Sequence, residues 1–188
     1  SIRRQRQMCI RDRIYEALAD YGYREVGQEY LQNVLNTDKK LDAYDSGRIY
    51  YYLGDYQKAY LALEEAKGKG GVDSYLYLGK AYAATGDYNY ASSVYSNYLS
   101  KQGPDAEIYN QLGLCELAKK DYQKALEAFQ AGKQIEGNSL MQTLSFNEIV
   151  AYEYLQDYQK AAVLLKAYLQ NYPDDQAAIR EQQFLSTR

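Results

Sequence analysis

Histidine is absent from the 188-residue sequence, and its two cysteines, Cys9 and Cys115, lie far apart. That pattern supplies neither a nucleophile–base pair nor a zinc-ligand spacing, since the thiolates and carboxylates zinc would need are not clustered. Cys115, beside Leu114 and Leu117, reads as a small packed core residue. Gly68-Lys69-Gly70-Gly71 has the glycines and lysine of a phosphate loop. The full Gly-x-x-x-x-Gly-Lys-Ser/Thr pattern is missing and no strand precedes it, so a turn between helices is expected. The carboxylate pairs Glu64-Glu65 and Asp174-Asp175 are sequence neighbours, which on a helix do not share a face. A solvated face or a helix start explains them better than acid–base catalysis. Lys39-Lys40 and Lys119-Lys120 fit helix-end electrostatics. No catalytic residue, cofactor or metal site is expected, and the chain is not expected to be an enzyme.

Composition narrows the class further. Hydrophobic residues make up 46% of the chain, yet mean hydropathy is −0.64, which suits amphipathic helices. No run approaches the roughly 18–20 apolar residues of a spanning helix, so no direct membrane insertion is expected. The net charge of −3 gives no electrostatic footprint for nucleic acid. Two prolines argue against a loop-rich β fold, and the 24 tyrosines offer rings that pack while their hydroxyls stay wet.

Internal repeats decide the architecture. The strings Gly54-Asp55-Tyr56-Gln57-Lys58-Ala59, Gly86-Asp87-Tyr88-Asn89-Tyr90-Ala91, Lys120-Asp121-Tyr122-Gln123-Lys124-Ala125 and Gln156-Asp157-Tyr158-Gln159-Lys160-Ala161 are near copies, with a weaker version at Tyr21-Gly22-Tyr23-Arg24-Glu25-Val26. Their tyrosines, Tyr23, Tyr56, Tyr88, Tyr122 and Tyr158, are separated by 33, 32, 34 and 36 residues. Tyr75, Leu78, Gly79, Tyr82, Ala91 and Tyr95 fall into one register, and Tyr109, Leu112, Gly113, Ala125 and Phe129 into the next. This pattern resembles the tetratricopeptide repeat over residues 14–173, with four strong units and a partial first one. The resemblance implies an all-α fold, a right-handed α–α superhelix of about five helix–turn–helix repeats, followed by a C-terminal capping helix over 174–188. One continuous solenoid is expected, without an internal domain boundary.

Helices are expected near 14–20, 23–36, 40–53, 56–67, 73–85, 88–101, 105–119, 122–135, 140–155 and 158–171. Asp55, Asp87, Asp121 and Asp157 precede second helices, where a carboxylate can accept from free amides. Gly47, Gly79 and Gly113 fall mid-helix, where Gly costs about 1 kcal/mol against Ala. A partner helix packed too closely for a Cβ explains them, with Ala59, Ala91, Ala125 and Ala161 opposite.

In tetratricopeptide proteins the first helices line a groove that holds a protein or peptide segment. By register, the resemblance places Tyr44, Arg48, Tyr51 and Tyr52 there, followed by Leu76, Tyr77 and Lys80. Asn110, Gln111 and Leu114 continue it, and Phe146, Asn147, Val150 and Tyr154 complete it. The wall is aromatic with two cations, Arg48 and Lys80. One subfamily holds acidic chaperone tails through a clamp of Lys, Asn, Asn, Lys and Arg. The matching positions here are Tyr44, Arg48, Tyr77, Glu107 and Gln111, or one repeat later Leu76, Lys80, Gln111, Thr143 and Asn147, and neither set is a clamp.

The leading expectation is a protein-interaction scaffold. Its alternatives are a structural or assembly module of a bacterial envelope complex, and an accessory domain of a larger protein whose N-terminal part is missing. Residues 3–13 resemble a translated sequencing-library adapter, so residues 1–13 are expected to be non-native. Without them, five Arg and one Asp are lost and the net charge falls to −7. Gly22 to Gly27, Phe146 to Glu153 and Phe184 to Arg188 resemble the C-terminal part of tetratricopeptide proteins of gut Firmicutes, some of them similar to lipoproteins. That implies a bacterial source and leaves a lipid-anchored and a cytoplasmic location both open, with partner identity and oligomeric state undetermined.

Overall fold

The computed structural model describes residues 13–69 and 71–187. The adapter-like segment, Arg13 excepted, and Gly70 of the glycine-rich turn lie outside the described residues. Among the described residues there are eleven helices and no strand. After α1 (13–20) come α2 (Arg24–Thr37), α3 (Ala43–Tyr52), α4 (Tyr56–Glu65) and α5 (Val72–Ala84). Next are α6 (Tyr88–Gln102), α7 (Ala106–Ala118), α8 (Tyr122–Lys133), α9 (Met141–Tyr154), α10 (Tyr158–Asn171) and α11 (Gln176–Leu185). The all-α helix–turn–helix architecture is therefore as expected. The contacts divide the chain into two compact units, Ser1–Gly86 and Asp87–Arg188.

Four of the first-to-second-helix turns use the same chemistry, whereas α2 starts after Tyr23 without a side-chain cap. Asp55, Asp87, Asp121 and Asp157 are N-caps, accepting from the amides of Lys58 (3.2 Å), Tyr90 (3.0 Å), Lys124 (3.3 Å) and Lys160 (3.1 Å). The preceding residue turns left-handed in all four. Gly54 (φ 80°) and Gly86 (φ 86°) do so without a Cβ, whereas Lys120 (φ 64°) and Gln156 (φ 62°) accept the strain. The α3 start differs from expectation: Asp42 caps it by accepting from Asp45 N at 2.9 Å, so the helix begins at Ala43 and not near 40.

In the first unit, α3 packs on α2, α4 and α5. Its core holds Tyr15, Leu31, Val34 and Ile49, with Tyr30, Leu35 and Tyr52 packed around them. A Cβ on Gly47 would lie 2.5 Å from Leu63 Cγ and 3.2 Å from the Ala59 carbonyl, so only Gly allows this approach of α3 to α4. In the second unit consecutive helices pack in chain order from α6 to α11. Phe129 is wholly buried, with Leu126 and Leu144 in the same cluster. A Cβ on Gly113 would overlap the Phe129 ring itself.

The second unit closes on α11. Asp175 caps that helix, accepting from Ala177 N (3.0 Å) and Ala178 N (3.2 Å), while the Tyr168 hydroxyl of α10 donates to its other oxygen at 2.6 Å. The bond from Tyr168 holds the Asp175 carboxyl below its usual range, and burial first, then that bond, push the phenol up to about 12. Glu153 at the end of α9 behaves oppositely. Burial, then the negative Glu181 of α11 beside it, push its carboxyl up to about 7.

Two expectations follow from this packing. Gly113→Ala should lower stability by about 1–3 kcal/mol in thermal unfolding, overpacking against Phe129 outweighing the helix-propensity gain of about 1 kcal/mol. A carboxyl raised in the folded state favours folding below its unfolded value and loses that contribution as pH rises towards 7. Glu153→Gln should therefore melt above the parent at pH 8, with the gap closing as pH falls towards 4.5, when the two are compared across a pH series.

Candidate partner-binding surface

On α3, Tyr44, Arg48, Tyr51 and Tyr52 follow helical spacing and share one face. Helix α5 adds Tyr77 and Lys80, one turn apart. The structure brings these residues together with two from α1, Tyr15 and Glu16. Tyr52 sits 4.9 Å from Tyr15, 5.7 Å from Tyr51 and 5.8 Å from Tyr77, centroid to centroid. Tyr51 also meets Tyr77 at 5.4 Å and Tyr56 at 5.7 Å, mostly edge to face. Pairs of this kind each contribute roughly 0.5–1.5 kcal/mol beyond area burial.

Two polar chains run through the cluster. The Tyr52 hydroxyl donates to Glu16 Oε1 at 2.9 Å and lies 2.6 Å from the Tyr77 hydroxyl. A phenol has one proton, so with Tyr52 committed to the carboxylate, Tyr77 donates to Tyr52. In the second chain Arg48 Nη1 donates to the Tyr44 hydroxyl at 2.9 Å, and that hydroxyl donates to Asp73 Oδ2 at 3.4 Å. Burial, and then Asp73, raise the Tyr44 phenol above its usual range; burial, and then the Tyr77 bond, raise Tyr52. Burial also raises Tyr51, so these hydroxyls remain neutral donors and acceptors.

Arg48 is not the solvent-facing cation that helical register suggests. It is 6% exposed, with its guanidinium carbon 4.7 Å from the Tyr77 ring centre and 5.3 Å from that of Tyr44. It ties α3 to α5. Lys80 is half-buried, its ammonium 5.8 Å from the Tyr77 centroid. Leu76, one residue round the helix from Tyr77, points into the core.

The second unit distributes its residues differently. Asn147 Nδ2 donates to Asn110 Oδ1 at 2.8 Å, joining α9 to the buried Asn110 of α7. Gln111 donates to Glu107 at 2.9 Å. Phe146 turns towards Tyr168 of α10, at 5.7 Å, and Tyr154 stacks on Tyr122 of α8 at 4.9 Å and 13°. Leu114 is exposed and Val150 half-buried.

Register alone missed Tyr15, Glu16 and Asp73. Asp73 stands four residues before Tyr77, a same-face spacing that could have revealed it. The weak first repeat hid the other two. Cys115 is buried as expected, and burial pushes its thiol up to about 11. Among the described residues no three His, Cys, Asp or Glu side chains gather as a metal site, and no helix is long and apolar enough to cross a membrane.

Residues 76–139 and 146–175 each match a family model described as tetratricopeptide repeat, together half of the chain. The chain belongs to the tetratricopeptide repeat family. Among solved structures it is similar to TTC0263, a tetratricopeptide protein of Thermus thermophilus, with TM-score 0.73 and 16% identity over 96% of this chain and 100% of that one. MamA from Desulfovibrio magneticus RS-1 aligns at TM-score 0.63 and 19% identity, covering 89% and 97%. The second tetratricopeptide domain of human RPAP3, solved with an HSP70 peptide, aligns at TM-score 0.53 and 16% identity, covering 58% and 90%. No match to a curated protein was found.

Arg48→Ala should remove ~1–3 kcal/mol of stability, since it strips a buried donor from Tyr44. Lys80→Ala should stay within about 0.5 kcal/mol of the parent in the same denaturant titration.

Proposed function

We propose that the protein is an interaction scaffold that holds a segment of a partner protein against the face built by α1, α3 and α5. The observation that carries this reading is the tyrosine cluster itself. Tyr15, Tyr51, Tyr52 and Tyr77 come from three successive first helices and join through rings and hydroxyls, and all but Tyr15 are half-buried. Tyrosine gives large contact area with few torsions to freeze, which is why it dominates binding hot spots. Their mutual contacts pre-set the ring positions, so little order remains to be imposed when a ligand arrives. The RPAP3 domain, similar in fold, was solved with a bound peptide.

A second reading rests on different residues. Leu61 of α4 and Val163 of α10 are 65% and 66% exposed on second helices, as an assembly module using that side of its repeats would require. The two readings separate in a capture experiment from bacterial lysate, followed by calorimetry on whatever is retained. Tyr51→Ala should weaken binding by about 2 kcal/mol or more, roughly thirtyfold, while Leu61→Ala/Val163→Ala should leave it intact. The reverse pattern, with every variant still helical by circular dichroism, would move the site to the second helices.

A further inference from the structure

The register of the repeats makes the α1–α3–α5 face look cationic, through Arg48 and Lys80. The structure withdraws one of these cations and brings in two acids, Glu16 and Asp73. Arg48 is buried and occupied, donating to Tyr44 and lying over the Tyr77 ring. Both polar chains of the cluster end on carboxylates. Tyr77 donates to Tyr52 and Tyr52 to Glu16, while Arg48 donates to Tyr44 and Tyr44 to Asp73. Each proton is thereby committed towards an acid, and the acids stand at the accessible ends: Glu16 is exposed and Asp73 half-buried. What these two chains have left for a ligand is acceptor capacity, in carboxylate and phenolic lone pairs.

The rings favour the same sign. A neutral phenol presents a negative π face, and this cluster already holds two cations against Tyr77, Arg48 at 4.7 Å and Lys80 at 5.8 Å. Tyr51 and Tyr52, at 5.4 and 5.8 Å from Tyr77, extend the same aromatic surface. The remaining charged group on this part of α3, Asp45, is a buried acid. On α3 and α5, with Arg48 buried, Lys80 is the group that would suit an acidic ligand, and it is half-buried.

We propose that the segment docking on this face is basic, presenting Lys or Arg side chains to the Tyr51–Tyr52–Tyr77 rings and to Glu16 and Asp73. The proposal rests on the scaffold reading above and adds the chemistry of the ligand to it. An acidic segment would set carboxylates against Glu16 and Asp73, and an uncharged one would leave the acceptors without ionic partners.

The test is a random peptide display library, depleted on the Tyr51→Ala variant and then selected on the full chain. Selected sequences should be enriched in Lys and Arg over the input. Synthetic copies, followed by fluorescence anisotropy, should lose affinity roughly five- to tenfold on Glu16→Gln/Asp73→Asn, consistent with two partly exposed ion pairs. These amides keep the hydrogen-bond acceptors for Tyr52 and Tyr44, so the variant retains the polar chains while losing charge. The pair Glu29→Gln/Glu65→Gln, exposed acids on α2 and α4, controls for general attraction to an acidic protein and should change little. Enrichment of acidic or uncharged sequences that still need Tyr51 would overturn the basic chemistry and leave the docking face standing. Equal losses on both acid pairs would also overturn it. If no sequence distinguishes the full chain from Tyr51→Ala, the docking face fails and the basic ligand with it.

Discussion

The rest of the fold depends on how closely a first helix can lie on the second helix of its own repeat. At Gly47 that distance is set by Leu63 and the Ala59 carbonyl, and at Gly113 by the Phe129 ring occupying the space a Cβ would need. The aspartate turn is what delivers the two helices to that approach. One residue turns left-handed, the next caps the new helix, and the chain reverses with its free amides satisfied. The second and fourth repeats therefore share a geometry although one turns on Gly54 and the other on Lys120. Where the sequence departs from glycine, packing of the completed hairpin holds the strained residue in place.

First and second helices share the core, and the first helices keep a further face for other work. In the first unit that face became a tyrosine network, in which ring edges meet ring faces and the hydroxyls of Tyr44, Tyr52 and Tyr77 each have an acceptor. A cluster of this kind is both structural and available. It fastens α1, α3 and α5 to one another, yet Tyr44, Tyr51, Tyr52 and Tyr77 all remain half-buried. The second unit spent its corresponding residues otherwise, closing Asn147 on Asn110 and turning Phe146 and Tyr154 into helix packing. The end helix α11 is held by a cap that doubles as a tether, since Asp175 accepts from its own helix and from Tyr168 of the previous one.

Most of the fold was legible in the sequence because its determinants are local. The recurring Asp-Tyr marks a cap and a helix start, the spacing of the five tyrosines gives the period, and glycine in mid-helix announces a close neighbour. Asp174-Asp175 likewise reads as a helix start, and Asp175 is the cap of α11. Boundaries moved where an unrecognised cap intervened, as at Asp42. The face was legible in outline, since helical spacing alone places Tyr44, Arg48, Tyr51 and Tyr52 on one side of α3. What each residue does there depended on neighbours in other repeats. Arg48 loses its solvent because Tyr44 and Tyr77 enclose its guanidinium, and Leu76 turns into the core one position from Tyr77. Glu16 and Asp73 join the site through hydroxyls supplied by other helices. Sequence by itself determined which helices form and which of their faces pair, because capping, propensity and periodicity act over a few residues. Tertiary structure alone decided which ionic groups of this face remain accessible, because burial and hydrogen bonding act between residues about thirty positions apart in the chain.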